Sequence, residues 1–251
     1  MQLGYTIEFD HWQQLTVKEI DQLLLAHKLV VVKNCHLTGE ELISQGKALG
    51  KLVIPQKQNQ FHKLPEILVV MNTGYTGRCW HTDFAFSINP PRYTFLLCRK
   101  APIQGGETLF IDTTRVYKKL PAKTRAMLDQ WIGIFSFSQV FSRKLKARGE
   151  VLNENQQVPD TEHGIVRAHS QTGEKALHLH EEYLIAIKGY SWHESKTMIN
   201  ELYQLVFCNS FITRYQWHVN DMAVWDNRAL LHKGCSCPEY CERELHRVIV
   251  Q

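Results

Sequence analysis

The chain has 251 residues, 44% hydrophobic and 22% charged, a composition typical of a folded globular protein and far from that of a disordered one. Its formal net charge is +4 at pH 7, with 29 basic residues scattered among 25 acidic ones, which gives no support to a nucleic-acid partner. No run approaches the roughly 18 apolar residues of a membrane span. The opening MQLGYTIEFDHWQQ has no basic segment followed by an apolar one, so the expectation is a cytoplasmic protein with no membrane partner.

The first elements are legible from periodicity. VKEIDQLLLAH (17–27) has apolar residues at helical spacing, and 29–32 reads as a short buried strand. Thr38 with Glu41 three residues on fits a capping box, so a helix should follow through ELISQGKALG. ILVVM (67–71) is a further buried strand, followed by the glycine-bearing loop NTGYTGR. From Trp80 onward strand signals dominate: WHTDFAF, then YTFLLCRKA, then ETLFIDT, separated by proline and glycine turns.

Residues 114–131 read as a helical pair broken at Pro121, and the polar stretch 142–162 as a long loop. HGIVRAH and ALHLH flank the turn SQTGEK, 191–207 is helical, and RYQWHV, DMAVWDN and HRVIV close the chain as strands. Many short strands with helices near the ends and in a central insertion suggest a mainly β protein: a jelly-roll-like barrel with flanking helices. The expectation is a single domain over 1–251, with helical insertions at about 114–131 and 191–207.

Seven cysteines, an odd number without framework spacing, point to reduced thiols. Cys235, Cys237 and Cys241 in GCSCPEYC offer a zinc site or a reduced cluster on a loop, and C-x-C-x3-C is not a common structural-zinc spacing.

WHTDFAF carries the most informative chemistry. Read as a strand, it sends His81 and Asp83 from the same face, about 6.6 Å apart at their α carbons. An imidazole and a carboxylate suit a divalent metal, and a second imidazole would complete the facial set of non-haem iron(II) oxygenases. A strand with one polar face toward solvent explains the same two residues. The motif alone does not choose.

A histidine in WDNRALLHKG and an arginine in ERELHRVIV follow far downstream. With these the sequence resembles the taurine dioxygenase-like family of iron(II)- and 2-oxoglutarate-dependent oxygenases. The likeness runs in order through HKLVVVKNCHLTGEELISQGKALGKLV, WHTDFAF, APIQGGETLFIDT, VRAHSQTGEKALHL, NDMAVWDNRALLHKG and ERELHRVIV. It implies a double-stranded β-helix, the cupin-like jelly-roll core, with the metal held inside one end.

The resemblance implies His81, Asp83 and His232 as ligands of Fe(II), and Arg243 with Thr108 as the partners of the distal carboxylate of 2-oxoglutarate. A guanidinium suits that role because it is a planar, permanently charged, bidentate fork. Arg247 matches a position near the anionic end of the substrate, and Phe84, Phe86, Asn72 and Tyr75 match positions near its reacting part. Arg243 and Arg247, four apart in an extended segment, share a face.

The implied reaction uses O2, releases succinate and CO2, and oxidises a C–H bond of a small anionic or amino-acid-like substrate by hydroxylation or desaturation. Asp83 excludes the halogenase variant, which lacks the carboxylate. The ligands line a cavity, so replacing His81 or Asp83 is expected to remove metal with little loss of fold.

Trp80 and Trp225 are expected to be core aromatics, with packing against the iron site a second reading for Trp80, which stands next to a ligand. His178 and His180, which depart from the taurine enzymes, either mark a different substrate or face solvent, the latter being the expectation, and the 142–162 loop is expected to serve as a lid. The rival readings are a catalytically silent metal-binding or sensing protein on the same fold and a metal store using GCSCPEYC. Oligomeric state is open, a homo-oligomer included.

Overall fold

A computed structural model of the chain describes residues 3–54, 60–61, 63–71, 78–153 and 156–251. Strand β1 (Tyr5–Glu8) leads through α1 (Phe9–Trp12) and α2 (Val17–His27) to β2 (Leu29–Lys33), then α3 (Gly39–Leu49), β3 (Gln60–Phe61), β4 (Leu64–Met71), β5 (Tyr93–Lys100) and β6 (Thr108–Asp112). Helices α4 (Thr113–Lys119) and α5 (Ala122–Leu128), strand β7 (Ile132–Phe135) and helix α6 (Phe137–Lys146) follow. The remainder is β8 (Thr161–Gly164), β9 (Val166–Ala168), β10 (Lys175–Leu177), β11 (Leu184–Ile187), α7 (Trp192–Val206), β12 (Ile212–Tyr215), β13 (Met222–Asp226), β14 (Leu230–Gly234) and β15 (Glu244–Val250).

Local chemistry sets the helix ends. Thr16 with Glu19, Thr38 with Glu41 and Ser191 with Glu194 form complete capping boxes at the starts of α2, α3 and α7, each satisfying amides that the first turn leaves without partners. Helix α2 stops at Lys28, whose φ of 63° turns the chain directly into β2. Residues 142–146 of the polar stretch belong to α6, and Thr161 and Glu162 to β8, so the non-helical connection is shorter than the sequence suggests.

The main sheet has the order β1-β2-β13-β5-β15-β4-β3, antiparallel except for the parallel β1/β2 pair. A second sheet is β12-β6-β14, and smaller ones are β11-β7-β8 and β10-β9. The central strands of the main sheet are buried on both faces, which explains their unbroken apolar runs. Val30, Val32, Phe95, Leu97, Met222 and Val224 pack in one core cluster with Leu24 and Leu42 of α2 and α3. The alternate residues Leu29, Val31, Leu96, Ala223, Trp225 and Leu245 pack with Phe110 and Leu230 of the second sheet. A third cluster lies between the smaller sheets and α7. Among the described residues no helix is long and apolar enough to cross a membrane.

Asp226, at the end of β13, pins several of these elements. Its carboxylate is 2.9 Å from His169 Nε2 and 2.7 Å from Arg228 Nη2, and Arg228 also donates to the Tyr93 hydroxyl. Burial alone would raise this carboxyl, but His169 and Arg228 outweigh it and hold its pKa below the usual value. A depressed carboxylate stabilises the fold fully above the unfolded pKa of about 3.9 and loses that contribution as pH falls toward the folded value. Urea unfolding below pH about 4 is therefore expected to show a weaker pH dependence in Asp226→Asn than in the wild type.

Candidate metal centre

His232 reaches the interior by simple alternation. On β14, Leu230 packs between the two principal sheets and Leu231 on the opposite side, so His232 points inward with Leu230. The same alternation turns Thr108 and Phe110 of β6 inward, and Arg247 with Leu245 on β15.

His81 and Asp83 arrive differently from the expected strand. Residues 83–86 form a turn, and Phe84 takes φ 48°, a left-handed conformation unusual for an aromatic residue. His81 is instead an isolated rung between two neighbours, bridging both His232 and His180. Its amide donates to the His232 carbonyl at 3.1 Å and its carbonyl accepts from the His232 amide at 2.8 Å. The amides of Thr82 and Glu181 tie the other side of the segment, through bonds to Leu179 and Trp80 carbonyls. Alternation of residue types cannot register a left-handed residue, which is why the motif looks like a strand.

The three side chains nevertheless meet. One ligand atom from each of His81, Asp83 and His232 lies within 4.8 Å of the others, and all three residues are buried. Both imidazole Nε2 atoms stand 3.9 Å from Asp83 Oδ1. His81 Nδ1–H donates to the Cys79 carbonyl at 2.8 Å, so its Nε2 carries a free lone pair facing the carboxylate. Burial pushes both imidazoles below their ordinary pKa and keeps them neutral, the form that ligates metal. Burial would raise Asp83, yet Arg247, His232, His81 and the Thr94 hydroxyl together hold it far below the usual carboxylate range. Two neutral imidazoles and one carboxylate in a dry pocket fit a divalent first-row metal.

Arg247 Nη1 donates to Asp83 Oδ1 at 2.9 Å, while its buried Nε has no partner among the described residues. Phe84 and Arg247 line one cavity with Leu68 and Ile249. Phe86 packs on Phe137, 4.9 Å between ring centres, and edge-on to Tyr183 at 5.1 Å. Asn72 and Tyr75 lie outside the described residues.

Arg243 sits just before β15, only 6% exposed, with Nε donating to the Gly106 carbonyl at 2.9 Å. It makes no ion pair with a carboxylate among the described residues, and burial lowers its pKa from the usual arginine value. Gly106 has φ 70°, and a Cβ there would lie 2.6 Å from Pro102 Cγ and 3.0 Å from Arg243 Cδ, so glycine is what lets the guanidinium stem lie flat on this loop. Thr108, two residues on, accepts a hydrogen bond from Trp217 Nε1 at 3.0 Å.

Several side chains differ from the sequence reading. His178 and His180 do not face solvent: they are 7% and 4% exposed. They sit on the chain that flanks the His81 rung. His178 Nε2–H donates to the Ala85 carbonyl, and burial followed by the neighbouring Arg167 and His163 brings its pKa down to about 3. His180 packs tilted on Tyr183 with ring centres 4.0 Å apart and stands 5.3 Å from the His81 ring. Trp80 and Trp225 are buried core aromatics as expected: Trp80 stacks on Phe207, and Trp225 packs on His232 at 4.7 Å. Thr94 and Asn227, which contact Asp83 directly and through one another, are missed by the sequence reading, although Asn227 lies in the same WDNRALLHKG segment as His232. Cys235, Cys237 and Cys241 lie on the loop between β14 and β15, and among the described residues they are not part of a converging ligand group.

Known proteins carry the same architecture. The chain is 29% identical over 236 residues to an alpha-ketoglutarate-dependent sulfate ester dioxygenase of Pseudomonas putida, covering 86% of this chain and 74% of that one. It is 25% identical over 254 residues to an alpha-ketoglutarate-dependent 2,4-dichlorophenoxyacetate dioxygenase of Cupriavidus pinatubonensis, covering 92% and 87%. The crystal structure of a taurine dioxygenase from Burkholderia xenovorans superposes with a TM-score of 0.82 at 25% identity, over 100% of this chain and 86% of that one.

With the His81–Asp83–His232 metal site, these likenesses define an oxidoreductase dependent on iron(II) and alpha-ketoglutarate, that is, 2-oxoglutarate. The chain belongs to the family described as "Taurine catabolism dioxygenase TauD, TfdA family", which matches residues 2–249.

Proposed function

We propose that the protein oxidises a C–H bond of a small anionic substrate, by hydroxylation in the first instance, with conversion of 2-oxoglutarate to succinate and CO2. The observation that carries this reading is the buried two-histidine, one-carboxylate cluster, and Arg243, buried and without a carboxylate ion pair among the described residues, supports it. A buried cation without a counter-ion is unfavourable, and a dicarboxylic cosubstrate entering the pocket supplies one. The two principal sheets are read here as the two walls of a double-stranded β-helix, with residues 1–251 as one catalytic domain.

In this reading His81, Asp83 and His232 hold Fe(II), and Arg243 with the Thr108 hydroxyl holds the distal carboxylate of 2-oxoglutarate. The bound iron, with 2-oxoglutarate and O2, supplies the oxidising power. The protein's own side chains do the rest. Neutral His81 and His232 keep their lone pairs available, and Asp83 stays ionised across the physiological range. Arg247, which lines a cavity with Phe84 and donates to Asp83, receives the anionic group of the substrate, and Phe84 and Phe86 wall off water around the bond to be oxidised. The relatives' names, a sulfate ester dioxygenase and a 2,4-dichlorophenoxyacetate dioxygenase, support an anion as the substrate class.

The test is succinate release from Fe(II)-loaded protein with 2-oxoglutarate in air, against a panel of alkyl sulfonates, alkyl sulfate esters, aryloxyacetates and amino acids. At least one anionic class should raise succinate above the substrate-free rate and appear as an oxidised product. Failure of 2-oxoglutarate to bind the metal-loaded protein, together with no stimulated succinate, overturns the proposal.

A further inference from the structure

Asp83 has two oxygens, and the fold treats them differently. Oδ1 faces both imidazoles and accepts from the partly exposed Arg247 Nη1 at 2.9 Å, whereas Oδ2 accepts a hydrogen bond from the wholly buried Thr94 Oγ1 at 2.6 Å. Thr94 Oγ1 in turn accepts from Asn227 Nδ2 at 2.8 Å, and Asn227 Oδ1 accepts from Trp225 Nε1 at 3.0 Å. Thr94 and Trp225 are wholly buried, and Asn227 is 4% exposed.

The direction of this chain follows from elementary donor chemistry. An indole N–H can only donate, so the atom of Asn227 that faces Trp225 must be the carbonyl oxygen. That fixes the amide orientation and turns the NH2 group toward Thr94. The threonine oxygen, already accepting, is left with its own proton to give, and the ionised carboxylate can only accept it. No member of the relay can reverse without stranding a buried polar group.

We propose that Trp225, Asn227 and Thr94 form a one-way hydrogen-bond relay that reserves Asp83 Oδ2 and so presents Asp83 to the metal through Oδ1 alone, making Thr94 and Asn227 positioning residues of the centre. Two further contacts tie the relay to the other ligands. The Thr82 hydroxyl donates to the Asn227 backbone carbonyl at 2.6 Å, clamping the residue between His81 and Asp83 to the turn that carries the relay. Trp225, which starts the relay, also packs its ring on His232. A carboxylate held to one oxygen leaves more of the metal's positions for cosubstrate, substrate and O2 than a chelating one.

This inference rests on the metal reading of the site, and Co(II) titration of the purified apo protein separates the two. Thr94→Val keeps the shape and removes the proton donor; its Co(II) affinity should fall about 10- to 100-fold, the usual effect of losing a ligand's hydrogen-bond partner. Its visible Co(II) spectrum should shift as the released oxygen reaches the metal, while Thr94→Ser restores both affinity and spectrum. Trp225→Phe, which keeps ring packing but frees the Asn227 amide to turn over, should move both readouts the same way by less. Wild-type affinity and spectrum in folded Thr94→Val and Trp225→Phe overturn the relay but leave the metal reading standing. If Thr94→Val does not fold, unchanged values in Trp225→Phe alone overturn it. A wild-type protein that takes up no Co(II) overturns both.

Discussion

Asp83→Ala is expected to abolish turnover and to weaken the metal-free protein as well. The loss of one of three ligands should reduce activity by at least ~10³-fold, equivalent to about 4 kcal/mol of metal-centred stabilisation. The sequence alone suggests that this change leaves the fold intact, because ligands line a cavity. The structure alters that expectation for Asp83, which in the absence of metal is the counter-ion of Arg247 and the acceptor of the Thr94 hydroxyl.

Removing one partner of a buried pair leaves the other charge uncompensated, an effect of about 3–5 kcal/mol when burial is complete. Arg247 retains 19% side-chain exposure, so about 2–3 kcal/mol is the expectation here. Urea unfolding of the apo protein measures it. Asp83→Ala combined with Arg247→Ala should be more stable than the sum of the single changes predicts, because the second substitution removes the stranded cation. His81→Ala, which strands no charge, should lose activity with a smaller stability change.

Arg243→Ala should have little effect on the apo protein and a large one once cosubstrate is present. Without cosubstrate the buried guanidinium has no carboxylate partner among the described residues, so its removal should leave apo stability nearly unchanged, the gain from losing a buried charge offsetting the lost packing of its stem. With cosubstrate, truncating one side of a buried, hydrogen-bonded charge pair is worth about 2–5 kcal/mol, so the 2-oxoglutarate concentration for half-maximal succinate release should rise ~30- to 5,000-fold. Arg243→Lys should recover only part of this, since an ammonium cannot present two parallel donors. An unchanged 2-oxoglutarate requirement in Arg243→Ala would remove Arg243 from the cosubstrate site.

The ligand set was readable through the family resemblance and not from residue types alone, since 13 histidines make a lone histidine–aspartate pair uninformative. His81, Asp83 and His232 stand in segments that resemble the family's ligand segments, and the structure brings them together. The early helices were equally accessible, since α2 spans the residues whose apolar spacing predicts it and Thr38 caps α3 as its pairing with Glu41 suggests.

What escaped depended on tertiary neighbours. Phe84 takes a left-handed conformation that periodicity cannot encode, so WHTDFAF looks like a strand and is a rung followed by a turn. His178 and His180 look like the polar face of an alternating strand, but a further layer packs against them and buries that face. Thr94 reads as one more β-branched strand residue. Only the register of β5 against β13, which sets Thr94 opposite Trp225, reveals the acceptor it was placed to serve.

The paired amide and carbonyl of His81 and His232 make a single rung from which both imidazoles depart. Their separation is thus set by the ladder spacing of a two-residue bridge and is insulated from whatever length of polypeptide runs between them. Insertions, deletions and wholesale exchange of the intervening loops can redraw the substrate pocket while the spacing of the two nitrogens stays constant. Such a scaffold lets specificity drift over evolutionary time without retuning the chemistry it serves.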